Sequence, residues 1–339
     1  MNIHDVSKKA GVSIATISRV LNQSPRVSSA TRDRVLDVIR EMGYTPNAFA
    51  RGLGLKTMQT IGVLCADSSD LYMASAINYI ERELQNKGYN CLLCCSGYEW
   101  ERKTSCMALL LSRQTDAIVL IGSQFVEDED EKNNYIREAA LKVPVFLING
   151  HLKGEGIYAV LNDDCQAVKK LTCRLLDEGV NNIHYLCRAR TYSGREKLKG
   201  YEEALISRDI IFDKNKVHDL DGTPEDVRDY LVRTFPGKMN LPDAFIASDD
   251  LLAVGVVKYA RQKKLAIPEE IMITGYNNSV AAICCEPELS SMDNKVETVC
   301  IHVVSTLLSH FEGEKIPEKT FIQSDFIDRE TTKKERGKL

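Results

Sequence analysis

Residues 3–22 read Ile3-His4-Asp5-Val6-Ser7-Lys8-Lys9-Ala10-Gly11-Val12-Ser13-Ile14-Ala15-Thr16-Ile17-Ser18-Arg19-Val20-Leu21-Asn22. Val6 and Ala10 are four apart and share one face of a helix, Gly11 supplies a turn, and Ser13 is placed to cap a second helix. Ile17, Val20 and Leu21 form the apolar side of that second helix. Its other side carries Ile14, Ala15, Thr16 and Arg19, short or cationic groups that reach base edges and phosphates when a helix lies in a major groove. The spacing predicts a helix-turn-helix. A third helix is expected from Ser28 as cap, from Val35, Leu36, Ile39 and Met42 at helical intervals, and from Gly43 as stop. Pro46 then bars continuation.

Charge is divided unevenly around this head. Residues 1–60 hold nine Lys and Arg against four Asp and Glu, a balance of +5, whereas the whole chain of 339 residues sums to −4, so the remainder carries −9. A basic head on an acidic body suits phosphate attraction at one end and solubility at the other. With 44% hydrophobic and 27% charged residues the chain is long enough for more than one packed core. No stretch has the signature of a signal peptide or the roughly 18 apolar residues of a spanning helix, so a cytoplasmic, nucleoid-associated address away from membranes is expected. The eleven cysteines lie mostly in apolar runs, as free thiols do in a reducing compartment, and their odd number argues against a complete disulfide set.

From Thr60 the pattern changes. Short apolar runs at 61–66, 90–95, 117–121 and 145–148 alternate with helical patterns near 72–87, 99–112 and 128–141. A second half begins near Asn162, with helices at 164–178, 193–207, 224–234 and 250–263 and strands at 183–187, 244–247 and 271–275. Two doubly wound α/β halves in tandem imply a cleft between them. The helix at 295–310 and the runs near 319–323 and 326–327 are too short for a third unit and are expected to return to the two halves, with crossings near 161, 292 and 324.

The head pattern, continued by Val27-Ser28, Thr31-Arg32, Val35 and Gly43-Tyr44-Thr45-Pro46-Asn47, resembles the LacI/GalR family of bacterial transcription repressors. Ser7 and Ile17 stand where Ala and Val are usual. The likeness runs on through Gly88-Tyr89, Asp116-Ala117, Gly200-Tyr201, Ala253-Val254-Gly255, Ile267-Pro268-Glu269-Glu270, Thr274-Gly275-Tyr276 and Pro287-Glu288-Leu289-Ser290-Ser291, so it covers essentially the whole chain. It implies a mixed α/β chain: a three-helix head at 1–46, a hinge helix or linker at 47–58, and a body like the periplasmic binding proteins. Within that body, an N-subdomain is expected from 59–161 with 293–324, and a C-subdomain from 162–292 with 325–339.

The resemblance also implies partners. Ile14, Ala15 and Arg19 take base-reading positions, with Arg19 on a guanine the strongest single contact, while His4, Thr16, Ser18 and Asn22 sit near phosphates and Ser13 caps the reading helix beside them. Asn47 opens the hinge, whose Leu53 is the wedge that enters the minor groove. Gly52 and Gly54 flank Leu53 and each weakens a helix by about 1 kcal/mol, so the hinge is expected to become helical only on DNA. The implied effector positions are Asp67, Tyr72, Met73, Asn149, Lys197, Asp249 and Asn277, a mixture of amides, carboxylates and an aromatic face that suits a sugar. Lys197, Asp249 and Asn277 replace the usual Arg, Asn and Asp. A homodimer on a palindromic operator is expected, with no cofactor, no metal and no catalytic residue.

Other motifs carry less. Cys91, Cys94 and Cys95 have metal or redox spacing but no accompanying Cys or His pair. His218, Asp219 and Asp221 read as a solvated loop, and Glu127 to Glu131 as a solvated helix start. Gly150, Gly154 and Gly156 do not make a dinucleotide fingerprint. A corepressor-dependent or partner-dependent regulator of the same family is the alternative reading. A sugar-transport binding protein would lack the head, and an enzyme would need an acid/base pair that Asp249 and Asp250, pointing apart by strand alternation, do not make.

Overall fold

Two independent units follow from the change of pattern at Thr60: residues 1–60 and residues 61–339. The computed structural model describes residues 2–21, 24–44, 57–188, 191–237 and 241–332. In the first unit, α1 (Ile3–Ala10) opens on a capping box in which Asn2 accepts from the backbone of His4 and Asp5, and Asp5 accepts from Asn2 in return. Gly11 ends it at φ 65°, a left-handed turn that glycine adopts without strain. The Ser7 hydroxyl, in the place where Ala is usual, ties this turn by donating to the Val12 carbonyl at 2.6 Å. Helices α2 (Ile14–Leu21) and α3 (Ser29–Met42) complete a core of Val6, Ala10, Ile17, Val20 and Val35, with Ser28 capping α3 and Gly43 stopping it.

The second unit contains two six-stranded sheets. The first has the order β11-β5-β4-β3-β1-β2 and comprises β1 (Thr60–Cys65), β2 (Asn90–Cys95), β3 (Ala117–Ile121), β4 (Val145–Ile148), β5 (Ile157–Asn162) and the late β11 (Lys319–Ile322). Strand β3 shows why it is buried on both faces. Ala117, Val119 and Ile121 pack with α4 (Leu71–Asn86) and α12 (Val296–Phe311), while Ile118 and Leu120 pack with α5 (Trp100–Ser112) and α6 (Asn134–Ala140). The second sheet, β12-β10-β9-β8-β6-β7, is built from β6 (Ile183–Cys187), β7 (Val217–Asp219), β8 (Ala244–Ala247), β9 (Met272–Tyr276), β10 (Ser290–Asp293) and β12 (Asp325–Ile327). Helices α7 (Asp164–Asp177) and α8 (Tyr192–Ile206) cover one of its faces. Helices α9 (Pro224–Thr234) and α10 (Asp250–Lys263) cover the other. Edge strand β12 runs antiparallel to β10. Each sheet with its helices forms a lobe.

The chain passes between the lobes three times, after Asn162, after Asp293 and after Ile322. Some expectations need correction. The pattern at 128–141 is a short 3₁₀ turn at Asp130–Asn133 followed by a seven-residue helix, and not one long helix. Strand β5, an apolar run from Ile157 to Leu161, is legible in the sequence but absent from the expected strands, whereas β7, β10 and the short α11 (Val280–Cys284) carry too little apolar signal to be found from sequence. No helix among the described residues is long and apolar enough to cross a membrane.

Candidate functional site

The head presents one surface of exposed polar and small groups. His4, Ser13, Ile14, Ala15, Ser18 and Arg19 are exposed, and Thr16 is half-buried against the Ser13 cap, which accepts from the Thr16 backbone at 3.2 Å. The Arg19 guanidinium has no ion pair or hydrogen bond among the described residues, in contrast to Lys9, held by Glu41 at 2.8 Å, and Arg40, held by Asp37 at 2.7 Å. Asn22, Asn47 and Leu53, and residues 47–56 of the expected hinge, lie outside the described residues.

A cavity of about 740 Å³ opens between the lobes, in the range of small-molecule sites. It lies where parallel sheets place ligands, just beyond the carboxyl ends of the strands. Asp70, Tyr72 and Met73 follow β1, Tyr98 follows β2, residues 122–129 follow β3, and Asn149 follows β4. From the other lobe, Arg188 follows β6, Asp221 follows β7, Ser248 and Asp249 follow β8, and Asn277 follows β9. Asn149 and Asn277 leave their strands at φ 57° and 98°, a conformation that Asn tolerates better than most residues.

Six of the seven expected effector residues meet here: Tyr72, Met73, Asn149, Lys197, Asp249 and Asn277. Asp67 does not line the cavity. Its carboxylate accepts from both the backbone and the hydroxyl of Ser69, which lowers its pKa and commits it to the turn before α4. Asp70 reaches the cavity instead while capping α4 through Met73.

Lys197 lines the wall without offering a free ammonium. Its Nζ donates to the Ser248 carbonyl at 3.0 Å and lies 3.8 Å from the centre of the Tyr276 ring. Burial pushes its pKa down, opposed by the carboxylates of Asp164, Asp249 and Asp250. Tyr276 in turn donates to Asp164 Oδ1 at 2.6 Å, and Ser193 donates to Asp164 Oδ2. Burial and the Asp164 charge push the Tyr276 phenol well above its ordinary value, so it remains a donor.

The reading of 127–131 as a solvated helix start holds for residues 128–131, which are exposed and lead into the turn at Asp130–Asn133, but not for Glu127. Glu127 pairs at 2.7 Å with Lys103, which is buried and donates to the Gln124 carbonyl, and residues 127–129 line the cavity. Asp128 reaches across to Arg195 of the second lobe at 2.7 Å. His218 is no solvated loop residue either. It is buried on β7 with Nε2 2.8 Å from His184 Nδ1, while its Nδ1 is 2.9 Å from the Tyr230 hydroxyl. Asp249 and Asp250 are the cap and first residue of α10. Asp249 faces the cavity, whereas Asp250 is buried, accepting from the Ser279 backbone and the Ser291 hydroxyl, both at 2.6 Å. They diverge because a helix starts between them, not by strand alternation. Among the described residues no group of three or more potential ligands could hold a metal ion, and Cys95 lies 3.5 Å from Cys65 across adjacent strands.

Comparison with known proteins agrees with this geometry. Residues 2–47 match the model of bacterial regulatory proteins of the lacI family, and residues 172–332 match a periplasmic binding protein-like domain. Over 332 residues the chain is 47% identical to an HTH-type transcriptional regulator of Lachnoclostridium phytofermentans, covering 98% of this chain and 99% of that protein. The chain belongs to the LacI family. Its members are transcriptional regulators, and a further relative, catabolite control protein A of Staphylococcus aureus, is 29% identical over 338 residues, 98% of this chain and 99% of that one. The fold of this LacI-family chain matches that of a lac repressor dimer bound to operator and the anti-inducer ONPF, with a TM-score of 0.87 at 20% identity over 98% of both chains. It also matches the CelR–cellobiose complex, with a TM-score of 0.71 at 23% identity over 98% of this chain and all of that one.

The residues missed from sequence are mainly those that follow β2, β3, β6 and β7: Tyr98, Gln124, Glu127, Arg188 and Asp221. Position at a strand's carboxyl end is the signal that could have found them, once the strands were placed.

Proposed function

We propose that this chain is a homodimeric repressor that grips a palindromic operator through paired heads and is controlled by a sugar bound between the lobes. The observation that carries the sugar reading is the make-up of the cavity, whose strand-end amides, carboxylates, tyrosines and one guanidinium supply the alternating donors and acceptors that a polyol requires. The cellobiose held by CelR and the ONPF held by the lac repressor, both proteins of this fold, support it. The exposed face of α2, with Arg19 unpaired among the described residues, supports base reading by Ile14, Ala15 and Arg19 and phosphate contacts by His4, Ser13, Thr16 and Ser18. One head makes few contacts, so two-fold symmetric half-sites require two copies. The cavity serves binding and not catalysis, since Asp70 is held in a helix cap and Glu127 in an ion pair with Lys103, which leaves no acid/base pair of carboxylates at the strand ends among the described residues.

The test is operator binding by gel shift at one fixed salt concentration, because phosphate contacts make affinity steeply salt-dependent. A panel of mono- and disaccharides is added in turn. One of them is expected to change operator affinity by about 5- to 150-fold, the usual span of allosteric coupling. No response to any saccharide overturns the effector reading, and binding to random duplex as tight as to operator overturns the repressor reading.

A further inference from the structure

Resting on the sugar reading, we infer that Arg188 and Asp249, and not Lys197, form the donor–acceptor pair that recognises adjacent hydroxyls of the ligand, and that the pair selects a neutral saccharide over an anionic one.

Three observations meet at this point of the wall. Lys197 is already committed, with its ammonium bound to the Ser248 carbonyl and lying on the Tyr276 ring. Arg188 is held only by longer contacts: its Nε makes no hydrogen bond among the described residues and pairs with Asp249 at 3.4 Å, and its Nη2 reaches the Gly222 carbonyl at 3.4 Å. The buried Nε is closed to a ligand, but the Arg188 side chain is 37% exposed and its two Nη groups keep donors to offer one. Asp249 supplies the complementary acceptor. Its Oδ1 caps α10 by accepting from Leu252 at 2.9 Å, which fixes the carboxylate, and its Oδ2 stands 3.4 Å from Arg188 Nε.

A guanidinium edge beside a fixed carboxylate oxygen matches a vicinal diol. One hydroxyl accepts from Arg188 while its neighbour donates to Asp249, and the planar fork gives this arrangement a geometry that an ammonium lacks. The same juxtaposition disfavours an anion. A phosphate or carboxylate at Arg188 meets Asp249 at once, and among the described residues Asp70, Glu127, Asp128 and Glu129 add further carboxylates to the lining. Arg188 thus takes over the forked recognition that Lys197 cannot give.

Calorimetric titration of the full chain tests this, using neutral mono- and disaccharides together with the matching uronates and sugar phosphates. The wild type is expected to bind a neutral saccharide and to bind its anionic counterparts more weakly. Arg188→Ala is expected to raise Kd on the order of 10- to 100-fold, and Arg188→Lys to recover only part of that loss. Asp249→Asn keeps an oxygen for the α10 cap, so it carries the test even if Arg188→Ala fails to fold. It is expected to weaken the neutral ligand at least about 10-fold while narrowing its advantage over the anionic counterpart. Kd values unchanged within about twofold in Arg188→Ala and Asp249→Asn, or a wild type that prefers the anionic ligand, overturn the pair while leaving the sugar reading intact. A wild type that binds no saccharide of the panel overturns the sugar reading, and the pair falls with it.

Discussion

Two buried titratable residues on the same face of the second sheet, the one covered by α9 and α10, act against each other as pH falls. Burial raises the Asp250 carboxyl from 3.8 to about 6, against the lowering effect of its bonds to Ser291 and Ser279 and with a further push from Asp249. The folded state therefore holds this proton more tightly than the unfolded one, and stability is gained as pH falls from about 6 toward 3.8, on the order of 3 kcal/mol. His184 has the opposite sign. Burial, with the neighbouring His218 and Lys216, lowers it from 6.5 to about 4, against a raising effect from Asp213, so stability is lost as pH falls between those values, again by up to about 3 kcal/mol. Burial lowers His218 as well, in the same sense. Asp250→Asn can still accept from Ser279 and meet Ser291, but no longer titrates. Its urea unfolding free energy, measured from pH 7 to pH 4, is expected to fall more steeply than that of the wild type by about 2–3 kcal/mol. Parallel profiles for the two proteins overturn the assignment of a raised Asp250. None of this was legible in the sequence, where His218 stands between Val217 and Asp219 and reads as surface, because burial of a polar side chain depends on partners that come from distant elements. The partners of His218 are His184 on β6 and Tyr230 on α9.

At the scale of elements, the strands and helices that sequence placed best are those with a complete local signal. Helix α9 has Thr223 as cap, Pro224 at its first position and Asp226 closing a capping box, and its observed limits are the predicted ones. Strands β3 and β8 are apolar at every position and bounded by polar turns, which marks a parallel strand covered on both faces. By contrast, residues 128–141 lack a capping side-chain bond, and Asp128 is spent on the other lobe while Glu129 and Lys132 line the cavity, so the start of this segment follows the needs of the site. Glycines within helices mark where elements touch. A Cβ on Gly200 in α8 would stand 2.2 Å from the Cys165 carbonyl oxygen of α7, and one on Gly255 in α10 would stand 2.5 Å from Val227 Cβ of α9. Backbone cannot retreat as a flexible side chain can, so Gly200→Ala is expected to lower unfolding free energy by about 1–3 kcal/mol or more through separation of α7 and α8. Ala elsewhere favours a helix by about 1 kcal/mol over Gly. A Gly200→Ala protein as stable as the wild type in urea unfolding, or more stable, shows that the two helices are not in this close contact.

Across the whole second unit, four asparagines link the two cavity walls through the crossovers. Asn149 donates to the Tyr72 hydroxyl at 2.8 Å and accepts from the backbone of Asn162 at 3.0 Å. The Asn162 side chain donates to the carbonyls of Asn294 at 2.8 Å and Ile322 at 3.3 Å, so it touches the other two crossing segments, and Asn294 donates to Asn277 Oδ1 at 2.9 Å. Tyr72 and Asn277 both line the cavity, one from each lobe. The series therefore runs from wall to wall along the segments about which one lobe must turn relative to the other. A ligand shifts a two-state equilibrium only through its differential affinity for the two arrangements. If the crossings define those arrangements, loosening them should reduce the difference that the ligand can exploit. Asn162→Leu removes the shared donor and leaves two carbonyls without it, an expected loss of about 1–3 kcal/mol in unfolding free energy. In gel shifts with and without a saccharide found active in the proposed screen, the ligand-dependent change in operator affinity is expected to shrink at least about 5-fold, with DNA binding in the absence of ligand retained. A variant that is destabilised to this extent yet responds to the saccharide as fully as the wild type assigns Asn162 to stability alone and removes the crossovers from the path between cavity and head.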